Sequence, residues 1–255
     1  MFATAAALHD IEKRYKTFTL GPLTLTIPAG SIVGLVGENG AGKTTTLKLL
    51  TGVIRPSAGR AELLGGNPAD PATRARIGVV FEDAYFYENL TAAQVGRSMA
   101  GIFGARWQPE AFAGYLTRFG LDPRQKIKEY SRGMRMKLSL ATALAHAPEL
   151  LVLDEPTSGL DPVVRGEILD LFLDFIQDET RSILMSSHIT TDLEQVADSI
   201  AYLHKGRLLF QEDKDELLAE YGLLRCAQAD LAKLPDGAAI HTERCALGCR
   251  ALVRG

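Results

Sequence analysis

Cysteine is scarce, with three residues in 255, and tryptophan occurs once. A disulfide-stapled scaffold is therefore excluded, and the composition fits a reducing compartment. No apolar run approaches the roughly 20 residues needed to span a bilayer. An excess of positive charge is also missing: 28 Lys plus Arg stand against 31 Asp plus Glu, a formal net charge of −3. The broad basic footprint of a nucleic-acid binder is absent, and no nucleic-acid partner is expected. Internal repeats and low-complexity tracts are lacking too. The N-terminus is mildly apolar, but no basic segment precedes it and His9, Asp10 and Glu12 interrupt it. It reads as a first strand rather than a secretory leader. What is present is 46% hydrophobic and 23% charged residues, enough chain to bury the core of one α/β domain or a domain with a small insert.

Short alternating strands are expected from Ala7 to Pro28, with a turn near Gly21-Pro22. A buried strand follows at Ser31–Val36, then the glycine-rich stretch GENGAGKT and a helix from about Lys43 to Thr51. Strands fit Arg60–Leu64 and Ile77–Phe81. From about 88 to 135 the pattern turns helical, with Val95, Met99, Ile102 and Phe103 suiting one helix and Phe112, Tyr115, Leu116 and Phe119 another. This region reads as a helical insert. Beyond it, a helix from about Met134 leads into strand Leu150–Leu153. Helix Val163–Glu179, strand Ser182–Ser186, helix Thr191–Val196 and strands Ile200–His204 and Arg207–Phe210 complete the core. Alternating strands and helices imply a mostly parallel sheet covered on both faces.

Gly37, Gly42, Lys43 and Thr44 satisfy G-x-x-x-x-G-K-[ST] between a buried strand and a helix. Glycines let the backbone wrap phosphate and turn N–H groups inward, and the following helix contributes its positive end. Lys43 can reach the β- and γ-phosphates while the Thr44 hydroxyl holds Mg²⁺. Asp154 ends the apolar run LLVLD and Glu155 follows it. Carboxylates at such a strand end face dehydration, which a Mg²⁺ ion relieves. Asp154 can bind the metal and Glu155 can orient or deprotonate an attacking water; the plainer reading is two solvated acids at a loop mouth. His188 follows the strand ILMSS. It can donate to a γ-phosphate, although a lone histidine is more often structural.

Taken in order and spacing, GENGAGKT, YSRGM, LLVLDEPTSGLD and SSH resemble the nucleotide-binding domain of ATP-binding-cassette (ABC) transporters over roughly residues 7 to 215. The fold this implies is an α/β P-loop NTPase (ABC ATPase) core with an antiparallel β subdomain and an α-helical insert. By the same resemblance Gly37, Asn39, Gly40, Ala41, Gly42, Lys43, Thr44 and Thr45 form the Walker A loop. Asp154 is the Walker B aspartate, Glu155 the catalytic glutamate and His188 the switch histidine. Ser158 to Asp161 match the D-loop, and Tyr15 stands where an aromatic stacks on adenine. The implied cofactors are ATP and Mg²⁺. The implied partners are a transmembrane permease and a second copy or homologue in a head-to-tail dimer, which places the chain peripherally on the cytoplasmic face of the cell membrane.

Two positions depart from the family pattern. The signature, usually LSGGQ, is Tyr130-Ser131-Arg132-Gly133-Met134, similar to the YSxGMxxKL form of ABC-2 type exporters. Ser131 and Gly133 keep the positions that touch the γ-phosphate bound by the opposite subunit. Glu82 stands where a Gln is usual; an ionised Glu only accepts hydrogen bonds, yet it could bind Mg²⁺ or the attacking water. The aromatics Tyr85, Phe86 and Tyr87 follow, in the region that meets the permease's coupling helix in this family. Two other classes are weighed against a transport ATPase: a sensing module with little turnover, and a soluble ABC ATPase acting on DNA or ribosomes. Lys43, Asp154, Glu155 and His188 argue against the first, and the absence of long coiled coils, zinc inserts or a second cassette argues against the second.

Residues 216–255 lie outside the resemblance. Cys226, His241, Cys245 and Cys249 could make a four-ligand zinc set, but no C-x-x-C pair occurs and Pro235 and Gly237 interrupt the stretch. A small β-rich appendage of unassigned role is the simpler expectation.

Overall fold

The computed structural model describes residues 4–82, 86–227, 239–245 and 248–254. Two compact units divide the chain, one running to Gln211 and the other starting at Glu212.

In the first unit, strands β1 (Thr4–Arg14) and β2 (Thr19–Pro28) pair antiparallel, and β4 (Ala58–Leu63) flanks β1 on its other side. β2 alternates buried Leu23, Leu25 and Ile27 with exposed residues, the period-2 pattern of a strand with one wet face. The expected turn at Gly21-Pro22 is not there. The chain reverses at Lys16-Thr17, closed by Tyr15 N–H donating to the Phe18 carbonyl at 2.8 Å. Gly21-Pro22 lies inside β2, where three residues of β1 (Ile11 to Lys13) face four of β2 (Leu20 to Leu23). This is a bulge. Gly21 has φ of 93°, and a Cβ there would stand 2.1 Å from the Ile11 carbonyl oxygen, so only glycine fits.

The second sheet has six strands in the order β5 (Ile77–Val80), β6 (Leu150–Asp154), β7 (Ser182–Ser187), β3 (Ile32–Val36), β8 (Ser199–His204) and β9 (Arg207–Asp213). The pairings from β5 through β8 are parallel. β6 and β7 are wholly buried because each face has its own core. Leu151, Leu153, Ile183 and Met185 join one cluster, and Leu150, Val152 and Leu184 the other. The second cluster reaches the antiparallel sheet through helix α1 (Lys43–Leu50), which buries Lys43, Thr46, Leu47 and Leu50 at helical spacing. The first includes helix α6 (Pro162–Ile176), which buries Ile168, Phe172 and Phe175.

Between β5 and β6, after the short helix α2 (Pro71–Arg74) upstream of β5, lie α3 (Ala92–Phe103) and α4 (Pro109–Arg118), followed by the longer α5 (Arg132–Leu144). Thr91 and Gln94 form a reciprocal capping box at the start of α3, and Pro109 opens α4. Gly96 lets the two helices meet, since a Cβ there would stand 2.6 Å from the Phe112 ring. Helix α7 (Thr190–Val196) follows β7. This is the fold that the sequence motifs imply: a P-loop core, an antiparallel β layer and helical insertions.

The second unit holds helix α8 (Lys214–Glu220) and an antiparallel sheet in the order β10 (Tyr221–Cys226), β12 (Gly248–Arg254), β11 (Ala239–Cys245). The side chains of Cys226, His241 and Cys245, and all of Tyr85, Pro235 and Gly237, fall outside the described residues.

Candidate active site

The site begins where β3 ends. Gly40 and Gly42 have φ of 82° and 110°, a left-handed backbone that glycine adopts without strain. A Cβ on Gly37 would stand 2.4 Å from the Leu203 carbonyl oxygen, so the loop lies tight against β8. Gly42 is the N-cap of α1 and supplies no side-chain acceptor, which leaves the first-turn amides open to an anion. Lys43 is the first residue of that helix, yet it is only 6% exposed. Its ammonium donates to the Gly37 carbonyl at 2.7 Å and lies 3.1 Å from Glu155 Oε1.

Asp154 ends β6 and Glu155 follows it. Asp154 is paired in register with Ser186 of β7. Its Oδ1 accepts from Ser186 Oγ at 2.6 Å and its Oδ2 from Thr44 Oγ1 at 2.7 Å. Ser186 Oγ also accepts from the Glu155 N–H at 3.0 Å. Glu155 sits at φ 50°, a conformation that costs a non-glycine residue free energy and recurs at functional turns. His188 Nδ1 lies 2.7 Å from Glu155 Oε2, and because an ionised carboxylate only accepts, Nδ1 is the donor. Glu155 Oε1 is buried without a hydrogen bond; its 3.1 Å approach to Lys43 is an ion pair off the hydrogen-bond direction.

Lys43, Thr44, Asp154, Glu155 and His188 thus converge at one sheet edge, as their spacing predicts. Ser186 joins them; its one signal in the sequence is the pair of serines ending the apolar run ILM. The donor set fits Mg²⁺ and a triphosphate: one hydroxyl and one carboxylate oxygen 2.7 Å apart, a buried ammonium, open helix amides and a carboxylate oxygen awaiting a donor.

The remaining predicted residues lie elsewhere in the unit. Tyr15 is half-exposed at the β1–β2 turn, with Lys13 Nζ 5.7 Å from its ring centroid. The same turn touches the phosphate loop through Phe18, whose ring would meet a Cβ on Gly42 at 3.2 Å. Ser131 is the N-cap of α5 and accepts from the Met134 N–H at 3.2 Å, while Gly133 faces Val164. Glu82 is engaged by Arg132, whose Nη2 donates to its Oε1 at 3.0 Å. The two departures from the family pattern are therefore each other's partners.

A groove of about 600 Å³ is lined by Val53, Arg74, Phe81, Ile102, Phe103 and His146. Val53 and Ile102 are exposed. His146 stacks on Phe103 with centroids 4.0 Å apart, and burial pushes its imidazole pKa down, which keeps it neutral.

A parallel sheet with a phosphate loop after its central strand, carboxylates on the neighbouring edge and an antiparallel β layer defines a P-loop NTPase of the ABC ATPase type. The ABC transporter family matches residues 20–158, and the chain belongs to that family, among its ATP-binding subunits. It is 38% identical over 230 residues to an uncharacterized ABC transporter ATP-binding protein of Synechocystis, covering 85% of this chain and 65% of that protein. It is 37% identical over 220 residues to the bacitracin transport ATP-binding protein of Bacillus licheniformis, covering 84% and 72%. A solved ATP-binding subunit of an ABC transporter superposes with a TM-score of 0.75 at 28% identity, covering 84% of this chain and 92% of that one. Among the described residues no helix is long and apolar enough to cross a membrane.

Proposed function

We propose that this chain binds and hydrolyses ATP, and that turnover drives transport, in the export direction, through a separate transmembrane permease on whose cytoplasmic face it sits. The observation that carries the catalytic part is Glu155, held by His188 at 2.7 Å and facing the buried Lys43 ammonium at 3.1 Å. These contacts fix the position and direction of the carboxylate, the geometry that a general base needs.

The residue roles follow from these contacts. The α1 amides and Lys43 take the phosphates, and Lys43 exchanges the Gly37 carbonyl and Glu155 for phosphate oxygens. That exchange leaves Glu155 Oε1 able to accept a proton from a water attacking the γ-phosphate. His188 fixes the direction of the Glu155 carboxylate through its other oxygen. Thr44 and Asp154 would hold Mg²⁺, which when bound supplies charge neutralisation at the phosphates. Tyr15 would stack on the base, Glu82 is a further candidate for the metal or water, and Asn39, Gly40, Ala41 and Thr45 complete the phosphate loop. Ser131 and Gly133 open α5 toward solvent and would meet the γ-phosphate held by a second copy or a homologue, the reason for proposing a head-to-tail dimer.

Transport as the output is supported by the bacitracin transport relative and by the groove, whose exposed Val53 and Ile102 suit an amphipathic segment of the permease. The export direction rests on the YSRGMRMKL sequence, similar to ABC-2 type exporters. Glu155→Gln tests the reading. Turnover should fall about 10²- to 10⁴-fold, the range for a general base, while ATP binding persists and an ATP-dependent dimer accumulates. Tagged Glu155→Gln protein with ATP should co-purify one multi-spanning protein from gently solubilised membranes. Unchanged hydrolysis removes Glu155 from the base role, and recovery of ribosomes or DNA-bound proteins alone overturns the transport reading.

A further inference from the structure

We propose that Asp192 is a positioning residue for hydrolysis, joining the Glu155 turn, the helix behind His188 and the helix behind the D-loop through one buried carboxylate. The inference rests on the catalytic reading above and adds a residue to it.

Asp192 lies in the first turn of α7 and is fully buried. An acid there ordinarily faces the helix's own N-terminal amides. This one turns outward from the helix. Its Oδ2 accepts from Thr157 Oγ1 at 2.6 Å, and Thr157 is itself buried, two residues beyond Glu155. Its Oδ1 accepts from Arg165 Nε and faces Nη2 of the same guanidinium. Arg165 Nη2 also donates to Thr191 Oγ1 at 2.7 Å. Arg165 stands one turn into α6, and its N–H bonds the carbonyl of Asp161, the residue that caps α6. His188 lies four residues before Asp192 and bonds Glu155 directly.

Stability alone accounts poorly for this arrangement. Fully burying a carboxylate carries a desolvation penalty that its ion pair only offsets, and apolar residues of similar volume often serve a fold as well or better. What apolar residues cannot do is fix direction. Hydrogen bonds from Thr157 and Arg165 fix the turn after Glu155, the start of α7 and the first turn of α6 relative to one another. A shift of the Ser158–Asp161 segment on meeting a second copy moves Arg165, and through Asp192 it reaches both members of the Glu155–His188 pair. Asp192 touches no reacting atom, so its role is to hold others.

The test compares wild type, Glu155→Gln, Asp192→Asn and the apolar pair Asp192→Leu with Arg165→Met in the full chain. Readouts are steady-state kcat and KM for ATP, nucleotide binding, and thermal unfolding. Asp192→Asn keeps an acceptor for Thr157 but loses the charge facing Arg165. Its kcat should fall about 10- to 100-fold, the scale of an ångström misplacement, with KM and nucleotide affinity within about twofold of wild type. The apolar pair should regain unfolding temperature without regaining kcat. If kcat returns together with stability in the apolar pair, or Asp192→Asn turns over like wild type, Asp192 is structural only and the inference is overturned. A wild type that does not hydrolyse ATP above the Glu155→Gln level overturns the catalytic reading itself, an outcome distinct from the other two.

Discussion

The sheet edge carrying Glu155 and the N-terminus of α5 are built on opposite principles. At the sheet edge Lys43, Asp154, Glu155 and Ser186 are all buried, and the Asp154 carboxylate oxygens and the Lys43 ammonium are already hydrogen-bonded. At α5 the charges are exposed and loosely paired: Arg132 with Glu82 at 3.0 Å, and Arg135 with Glu88 at 3.6 Å. Exposed pairs of this kind contribute about 0–1 kcal/mol, whereas breaking a buried pair by removing one partner costs about 3–5 kcal/mol. The first region is organised within one subunit. The second presents charge to solvent around a helix start capped by the exposed Ser131, which suits a phosphate brought to it by another molecule.

The comparison breaks most sharply at Lys43. Lys43→Ala strands Glu155 in a buried position without its cation, so unfolding free energy should drop by about 3–5 kcal/mol and ATP binding and turnover should be lost; denaturant unfolding and nucleotide titration measure both. An undiminished stability would mean that the Glu155 carboxylate does not depend on Lys43. Next comes Ser186→Ala. It leaves Asp154 Oδ1 short of a partner, at a cost of about 1–3 kcal/mol for the unsatisfied group, while the Glu155 N–H keeps the Ser186 backbone carbonyl at 3.2 Å. Turnover should fall more than nucleotide affinity, because Thr44 and the phosphate loop remain intact. Ser131→Ala reverses that pattern of dependence. It removes a helix cap, worth about 1 kcal/mol, leaves ATP binding by the single subunit unchanged, and should reduce hydrolysis only to the extent that two subunits associate. A concentration series of ATPase rates reads this out; an equal loss at every protein concentration would place Ser131 in its own subunit's site.

The same contrast explains what the sequence made legible. The phosphate loop and the strand-end acids could be read because each is a contiguous signal in which glycine spacing, or an apolar run ending in carboxylates, has one chemical use. Ser186 is not legible as a site residue because its partner Asp154 is 32 residues away, and only the parallel register of β6 and β7 sets them side by side. The misplaced turn at Gly21-Pro22 has a related cause: glycine and proline mark bulges as well as turns, and the choice depends on the close approach of Ile11, a residue ten positions earlier. Surface pairing was the least legible of all. Glu82 and Arg132 each read as an isolated departure from a family pattern until the fold set them together.

That pairing gives the smallest expected effect and the finest test of the comparison. Glu82→Gln removes an exposed charge, so stability should change by no more than about 1 kcal/mol. Arg132 would lose the acid opposing it while its guanidinium stays against Gly159, where a Cβ would stand 2.9 Å from Nη1. An arginine freed in this way at the start of α5 adds positive charge where a second copy's phosphate would arrive, so half-maximal ATPase should come at a lower protein concentration. Should Glu82 instead serve the metal or the attacking water, Glu82→Gln lowers kcat at every concentration. The two roles therefore separate in one series of rates against subunit concentration, and an unaltered series, both alone and with the permease, reduces Glu82 to a surface acid.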